Sequence, residues 1–243
     1  ATIWLKPSGY TGSTPREGEG GSNGLILNGK GQLLLAQHGD RRIARLEAPW
    51  NAPEASFKTL ADKFDGKRFN SPNDLAIKSN GDIYFTDPPY GLEKGMEDPD
   101  KELDFQGVYR LSTDGSVTLL TAELSRPNGI AFSPDEKTLY VANSDRNQAV
   151  IMAYDVLENG NLANGRVFFE SWGDGMAIDQ KGNMYATGPG GVLIIAPNGT
   201  HLGTLETTQA TSNCTFGDDG STLYITADMY LLRIRLKSRG IGF

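Results

Sequence analysis

The sequence predicts an all-β chain of propeller blades. Three observations carry that prediction: one phrase recurs five times, short apolar runs alternate with Gly/Asn/Asp turns, and no stretch reads as a long amphipathic helix. The phrase is an Asn or Asp, a small residue, an apolar run, a turn and a second apolar run. Its copies are Ser22-Asn23-Gly24-Leu25, Pro72-Asn73-Asp74-Leu75, Pro127-Asn128-Gly129-Ile130, Gly173-Asp174-Gly175-Met176 and Ser212-Asn213-Cys214-Thr215. The key residues lie 50, 55, 46 and 39 positions apart, the span of a four-stranded blade with variable loops.

Each unit resolves into strands in order. The first two strands are Leu25–Leu27 with Leu33–Leu35, Leu75–Ile77 with Ile83–Phe85, Ile130–Phe132 with Leu139–Val141, Met176–Ile178 with Met184–Ala186, and Thr215–Phe216 with Leu223–Ile225. Third strands follow at Arg42–Leu46, Val108–Leu111, Val150–Tyr154, Val192–Ile195 and Leu231–Leu236. Weaker fourth strands read at Phe57–Leu60, Val117–Leu120, Arg166–Phe169 and Thr204–Glu206. Gly91–Phe105 is a polar, acidic insertion that reads as a loop over one face. The chain is read as a single domain, residues 1–243. Ile3-Trp4-Leu5 reads as the tail of a further strand, which leaves two options: five blades close, or a six-bladed ring has an incomplete first blade.

Bulk properties narrow the partners. The formal net charge is -7 with no Lys/Arg tract, which opposes a nucleic-acid backbone and anionic lipid. No run approaches the roughly 18 apolar residues of a membrane span. Cys214 is the only cysteine, so neither an intramolecular disulfide nor a Cys-based zinc site is available, and two histidines exclude a three-His site. No signal peptide is visible. A cytoplasmic chain and one exported after removal of an N-terminal segment are both compatible with these features. Small molecules and cations are the natural partners.

In a blade the innermost strand lines the central channel, so five Asn/Asp side chains at its start are expected to converge at one channel mouth. His38, Asp87, Asn143, Thr187 and Asp228, at the return of the second strands, are expected further out around it. Amide carbonyls with a carboxylate suit a hard cation, calcium before magnesium or zinc. Asn73, Asn128 and Asp174 are the preferred ligands because each follows a Pro or Gly that fixes the entry of the chain. Asn23 and Asn213, read at the same register, are assigned to substrate. Taken singly, Asn-Gly and Asp-Gly are ordinary turn signals; here each hairpin already has its own turn further on. Gly20-Gly21-Ser22-Asn23-Gly24 matches G-x-S-x-G but lacks the strand before and helix after that a nucleophile elbow needs. His38 reads either as a substrate contact or general base, or as a hydrogen-bonded structural residue. The three tryptophans read as blade packing.

Arg68-Phe69-Asn70-Ser71-Pro72-Asn73-Asp74, Ile83-Tyr84-Phe85-Thr86-Asp87-Pro88-Pro89-Tyr90-Gly91-Leu92 and Arg126-Pro127-Asn128-Gly129-Ile130-Ala131-Phe132-Ser133-Pro134-Asp135 resemble the senescence-marker-protein/gluconolactonase (SGL) family, and the last two phrase copies continue the likeness. The resemblance implies a six-bladed propeller, incomplete in its first blade here, with a divalent cation, usually Ca2+ but also Mg2+, Zn2+ or Mn2+. It implies Asn73, Asn128 and Asp174 as metal ligands beside a Glu from a Glu-Gly-Pro phrase. That phrase is absent; Glu17-Gly18 and Glu19-Gly20 fall in the loop before the next blade. It further implies hydrolysis of a sugar lactone, with Asp174 as catalytic base and Arg68, Asn23, Asn213 and His38 holding a polyhydroxylated substrate. The alternatives are an arylesterase or organophosphate hydrolase on the same scaffold, or a non-catalytic binding propeller.

Overall fold

The computed structural model describes residues 2–243. They form two compact units, one reaching to Pro127 and one running Asn128–Phe243. In the first unit, β1 (Ser22–Leu27), β2 (Leu33–Gln37), β3 (Arg42–Leu46) and β4 (Phe57–Ala61) pair in sequence order as one antiparallel sheet. A two-residue hairpin follows, β5 (Lys63–Phe64) and β6 (Lys67–Arg68). Its turn is Asp65-Gly66, with φ of 50° and 78°. Both central residues of such a turn need positive φ, which Asp and Gly tolerate best. A second sheet contains β7 (Leu75–Ile77), β8 (Ile83–Asp87), β9 (Gly107–Leu111) and β10 (Val117–Thr121).

The second unit repeats the pattern. β11 (Pro127–Phe132), β12 (Thr138–Asn143), β13 (Val150–Val156) and β14 (Leu162–Phe169) form one sheet, and β15 (Met176–Ile178), β16 (Met184–Gly188), β17 (Gly191–Ile195) and β18 (His201–Glu206) the next. β19 (Thr211–Gly217), β20 (Thr222–Ala227) and β21 (Tyr230–Arg235) make a last sheet of three strands. This is an all-β propeller architecture of antiparallel, mostly four-stranded blades.

Among the described residues five such sheets form, where a six-bladed ring with an incomplete first blade was expected. Residues 2–21 contribute no strand, so the expected strand over Ile3–Leu5 does not form; Ala1 lies outside the described residues. Trp4 instead stacks on Trp50, ring centroids 5.0 Å apart, and both rings are largely exposed.

Period-2 alternation puts one face of each strand against the next sheet. In the first unit Leu34, Ala36 and Ile43 meet Leu75, Phe85, Tyr109 and Leu111 across the layer. Phe69 closes that core edge-on to Phe85 at 5.1 Å, and Tyr109 stacks on Phe85 at 5.3 Å. In the second unit Tyr140, Ile151 and Ala153 pack on Met176, Met184 and Ile195. Tyr185 and Val192 then pack on Cys214, Phe216 and Leu223. Burying such aliphatic and aromatic side chains stabilises a fold by about 1.5–3 kcal/mol each. These layers hold the phrase-bearing inner strands in place.

Candidate functional site

Within each unit, neighbouring copies of the phrase are tied together by their backbones. The Gly24 N–H donates to the Asn73 carbonyl at 2.6 Å in the first unit. In the second, Gly129 N–H donates to the Asp174 carbonyl and Gly175 N–H to the Ser212 carbonyl, both at 2.9 Å. Each small residue after the Asn/Asp lets the next copy approach closely. A Cβ at Gly24 would lie 2.8 Å from the Asn73 carbonyl oxygen, and one at Gly129 would overlap the Asp174 carbonyl. The second strand of each blade adds the other hold: Asn73 N–H donates to Thr86 O at 2.8 Å and Asp174 N–H to Thr187 O at 3.0 Å. Phrase residues Asn23 and Asn73 are therefore joined in one unit, and Asn128, Asp174 and Ser212 in the other.

The fifth copy corrects the sequence reading by one residue. Ser212, not Asn213, supplies the carbonyl that answers Gly175, the place that Asn73 and Asp174 take toward Gly24 and Gly129. Asn213 matches Asp74 instead. Its Oδ1 accepts the Cys214 N–H at 2.8 Å as Asp74 Oδ1 accepts the Leu75 N–H at 2.9 Å. Its own N–H donates to Thr226 Oγ1 as that of Asp74 donates to Thr86 Oγ1. The register shift between Thr211 and Asn213 in the β19–β20 pairing sets Ser212 and Asn213 against Thr226, as Asn73 and Asp74 stand against Thr86.

The remaining donors differ in environment. Asn73 is 2% exposed and its Oδ1 is buried with no hydrogen-bond partner. An orphaned buried amide oxygen is costly unless something electropositive meets it, so this atom fits the role of a cation ligand. Asn128 is buried, and its Nδ2 donates to Ser144 Oγ at 2.9 Å while Ser144 Oγ donates to the Gly173 carbonyl at 2.7 Å. That chain fixes the plane of the Asn128 amide. Asp174 is half-buried. Asn23 is exposed at the start of β1. Among the described residues no group of three or more His, Cys, Asp or Glu side chains is placed to hold a metal ion. The donor set available is thus rich in amide oxygens, as for a hard cation.

His38 is 1% exposed, with Nδ1 3.6 Å from the exposed Glu19 carboxylate and Nε2 buried without a partner. Burial, with the Arg16 charge, lowers its pKa to about 4, so the ring is neutral near pH 7. The mostly exposed Glu19 does not reverse that effect, because water screens it. Arg68 donates from Nη2 to the Asp40 carbonyl at 3.1 Å and lines a cavity that does not include Asn73.

Two of the residues expected at the return of the second strands hold the backbone here. Asp87, wholly buried at the end of β8, accepts the Asn70 N–H at 2.8 Å and the Ser71 N–H at 2.7 Å, clamping the turn that leads to Asn73. Burial lifts its pKa to about 7, opposed by those two N–H groups and by Arg41 and Lys101. Thr187 Oγ1 donates toward the carbonyls of Gly175 and Ser212 at 3.0 and 3.1 Å. Asn143 donates to Gln148 O at 3.0 Å, and Asp228, expected beside these, is exposed. Ser22 opens a strand with no helix behind it, as a false nucleophile elbow should.

Against this geometry, the SMP-30/Gluconolactonase/LRE-like region model matches residues 4–228. The chain is 42% identical to the gluconolactonase of Zymomonas mobilis over 98% of its own length and 70% of that protein. It superposes on the structure of a gluconolactonase from Xanthomonas campestris with a TM-score of 0.80 at 33% identity, covering 89% of this chain and 72% of that one. Regucalcin from Agrobacterium tumefaciens, a calcium-binding protein, is alike in fold alone, with a TM-score of 0.56 at 18% identity over 100% and 97% of the two chains. The fold and repeated phrase define the class: an all-β propeller of antiparallel blades. Within it, this chain belongs to the SMP-30/gluconolactonase family.

Proposed function

We infer that this chain hydrolyses sugar lactones. The observation that carries the reading is the match to the Zymomonas gluconolactonase, which runs over 98% of the chain and spans every phrase copy. The residues assigned to a divalent cation are Asn73, Asn128 and Asp174, and calcium is the cation their oxygen donors suit best. The unpartnered Asn73 oxygen supports the assignment. When bound, such an ion supplies Lewis-acid polarisation of a carbonyl oxygen.

The chain's own groups account for the rest. Water adds to the lactone carbonyl carbon, the ring C–O bond breaks, and the ring oxygen takes up a proton. Asp174 is the proposed base: its carboxylate accepts the proton from the attacking water and returns it to the departing ring oxygen. General acid–base work of this kind contributes on the order of 10²–10⁴-fold. Ser144 holds the Asn128 amide in one orientation, and the Asp87 clamp holds the turn before Asn73. The neutral His38, Arg68, Asn23 and Asn213 are proposed to hold the polyhydroxylated substrate, and residues 1–243 to work as one propeller domain. Among the described residues no helix is long and apolar enough to cross a membrane.

The test is acid release from glucono-δ-lactone, an aryl ester and a phosphotriester, with and without added Ca2+. Turnover of the lactone, and its loss in Asp174→Ala, is the expected result. Turnover confined to the aryl ester or the phosphotriester overturns the lactone reading; no turnover of any of them leaves a binding propeller.

A further inference from the structure

The Gly91–Phe105 loop roofs a cavity of about 420 Å³ in the first unit. Four cations line it, Arg16, Arg41, Arg68 and Lys94, together with four carboxylates, Asp40, Glu93, Asp98 and Asp100. None of the five phrase residues is among its lining, and of the residues assigned to substrate above only Arg68 lines it.

The cations are held unusually. Arg16 donates from Nη1 to the Gly39 carbonyl at 2.8 Å and from Nη2 to the Gly91 carbonyl. Arg41 donates from Nε to Phe69 O at 2.7 Å and from Nη1 to Asp100 O at 2.8 Å. Arg68 uses the Asp40 carbonyl. Main-chain carbonyls orient these guanidinium groups, and Arg16 Nε also lies 3.8 Å from Glu93 Oε1. Arg41 is the sharpest case: it is 4% exposed, no carboxylate pairs with it, and its Nη2 has no hydrogen-bond partner. A buried cation in that state is destabilising until an anion meets it. Burial first, then the nearby Arg68 charge, lowers its pKa, opposed by the Glu102, Asp87 and Asp100 charges.

The carboxylates say what the rest of the ligand is. Asp98 accepts the Lys94 and Asp100 N–H groups, both at 2.9 Å, which shapes the roof. Asp40 accepts from Thr11 Oγ1 and Arg42 Nη2. Lining carboxylates balance lining cations four to four. A compact dianion such as phosphate would meet as much repulsion as attraction there. A monoanion carrying several hydroxyls uses both sets: its charge faces the guanidinium groups and its hydroxyls donate to the carboxylates. The volume falls within the range of small-molecule sites, roughly 300–1,000 Å³.

We propose that this cavity is a second small-molecule site that takes a hydroxylated carboxylate, the aldonate class of compound. Naming the aldonate rests on the lactonase reading, because that reaction releases one; the hydroxy-acid chemistry rests on the cavity alone.

The experiment is an amide-shift titration of the ¹⁵N-labelled protein with sodium gluconate, sorbitol and inorganic phosphate, alongside lactone turnover by the same sample. Gluconate is expected to give saturable shifts concentrated at Gly39–Arg41 and Leu92–Asp100, and sorbitol none. Arg41→Met is expected to weaken gluconate about tenfold or more, the size of a lost charge-assisted hydrogen bond. Lys94→Gln, at an exposed position that folding does not depend on, is expected to weaken it about threefold. Absence of saturable gluconate shifts at those segments overturns the proposal, as does unchanged affinity in Lys94→Gln and in any folded Arg41→Met protein. Phosphate binding as tightly as gluconate also overturns it. Gluconate binding here without lactone turnover would remove the lactonase reading and leave the site; turnover without such binding would remove the site alone.

Discussion

Asp87 Oδ1 accepts the Ser71 N–H at 2.7 Å, across sixteen residues of chain, while Oδ2 takes the neighbouring Asn70 N–H at 2.8 Å. One carboxylate at the end of a strand therefore sets the path of the turn that delivers Asn73. Ser71 returns the hold by donating to the Pro88 carbonyl at 2.5 Å and accepting the Gly91 N–H at 2.8 Å. Asp87→Asn swaps one acceptor oxygen for a donor facing a backbone N–H. A loss of about 1–3 kcal/mol is expected from the unsatisfied pair. Lactone turnover should fall as well, and urea unfolding with steady-state kinetics on the same protein checks both.

Asp87 and His38 should pull the pH dependence of stability in opposite directions. Asp87 titrates near 7 when folded against an ordinary value of 3.8. Between those values the folded protein keeps a proton that the unfolded chain has released, so this contribution to stability is full below about pH 3.8 and is lost as pH rises toward 7. His38 titrates near 4 when folded against 6.5. There the unfolded chain takes the extra proton, so the contribution present above pH 6.5 is lost as pH falls toward 4. Each slope is at most about 1.4 kcal/mol per pH unit. Asp87→Asn should therefore become more stable with rising pH across 4–6.5 than the parent, and His38→Gln less. Urea midpoints at half-unit steps measure the slopes; parallel curves for all three proteins would refute the assignment.

The close approach at the phrase gives a third expectation. Gly129→Ala forces a methyl group into the Asp174 carbonyl, and Gly175→Ala forces one into the Asn213 amide. Overpacking of this kind costs about 1–3 kcal/mol. At about 2–4 °C per kcal/mol for a chain of this size, a lower melting temperature is expected for both. Gly29→Ala, with no atom within 4 Å of the added carbon, is the neutral control.

Added calcium should raise the melting temperature and EDTA should return it, since a ligand that binds only the folded protein stabilises it by mass action. Asn73→Leu should abolish the calcium shift without lowering the metal-free melting temperature, because it removes a buried oxygen that has no partner in the protein. A calcium shift preserved in Asn73→Leu would take this residue out of the ligand set.

The bulge in the last sheet separates two adjacent residues. Ser212 holds the phrase position, and its Oγ lies 2.8 Å from Thr226 Oγ1. Asn213 has its side-chain oxygen committed to the next backbone N–H. Asn213→Ala should raise KM for the lactone, as loss of a substrate contact does, and lower stability through the lost bond to the Cys214 N–H, whereas Ser212→Ala should change KM less. A raised KM in Ser212→Ala alone would move the contact to Ser212.

Much of the architecture was legible because its signals are local. Apolar runs bounded by Gly, Asn and Asp placed the strands, and Met176–Ile178 and Arg42–Leu46 match to the residue. The hairpin of β5 and β6 escaped because two-residue strands have no measurable alternation, although Asp65-Gly66 announced its turn. The sixth blade was expected by resemblance, and the run at Ile3–Leu5 finds no strand partner. Asn213 was misplaced because Ser-Asn-Cys-Thr imitates Pro-Asn-Asp-Leu while its Asn stands one residue later in the register. The Asp87 clamp and the cavity under the acidic loop depend on contacts between residues far apart in sequence, such as Arg41 with Asp100. No periodicity reports those.

Phrase copies lie at uneven intervals along the chain, yet Gly24 meets Asn73 as Gly129 meets Asp174. The chain length spent on outer strands and loops is thus uncoupled from where the inner oxygens sit. Grafting longer or shorter loops between copies should leave those backbone contacts in place, which makes this scaffold a natural starting point for redirecting substrate choice.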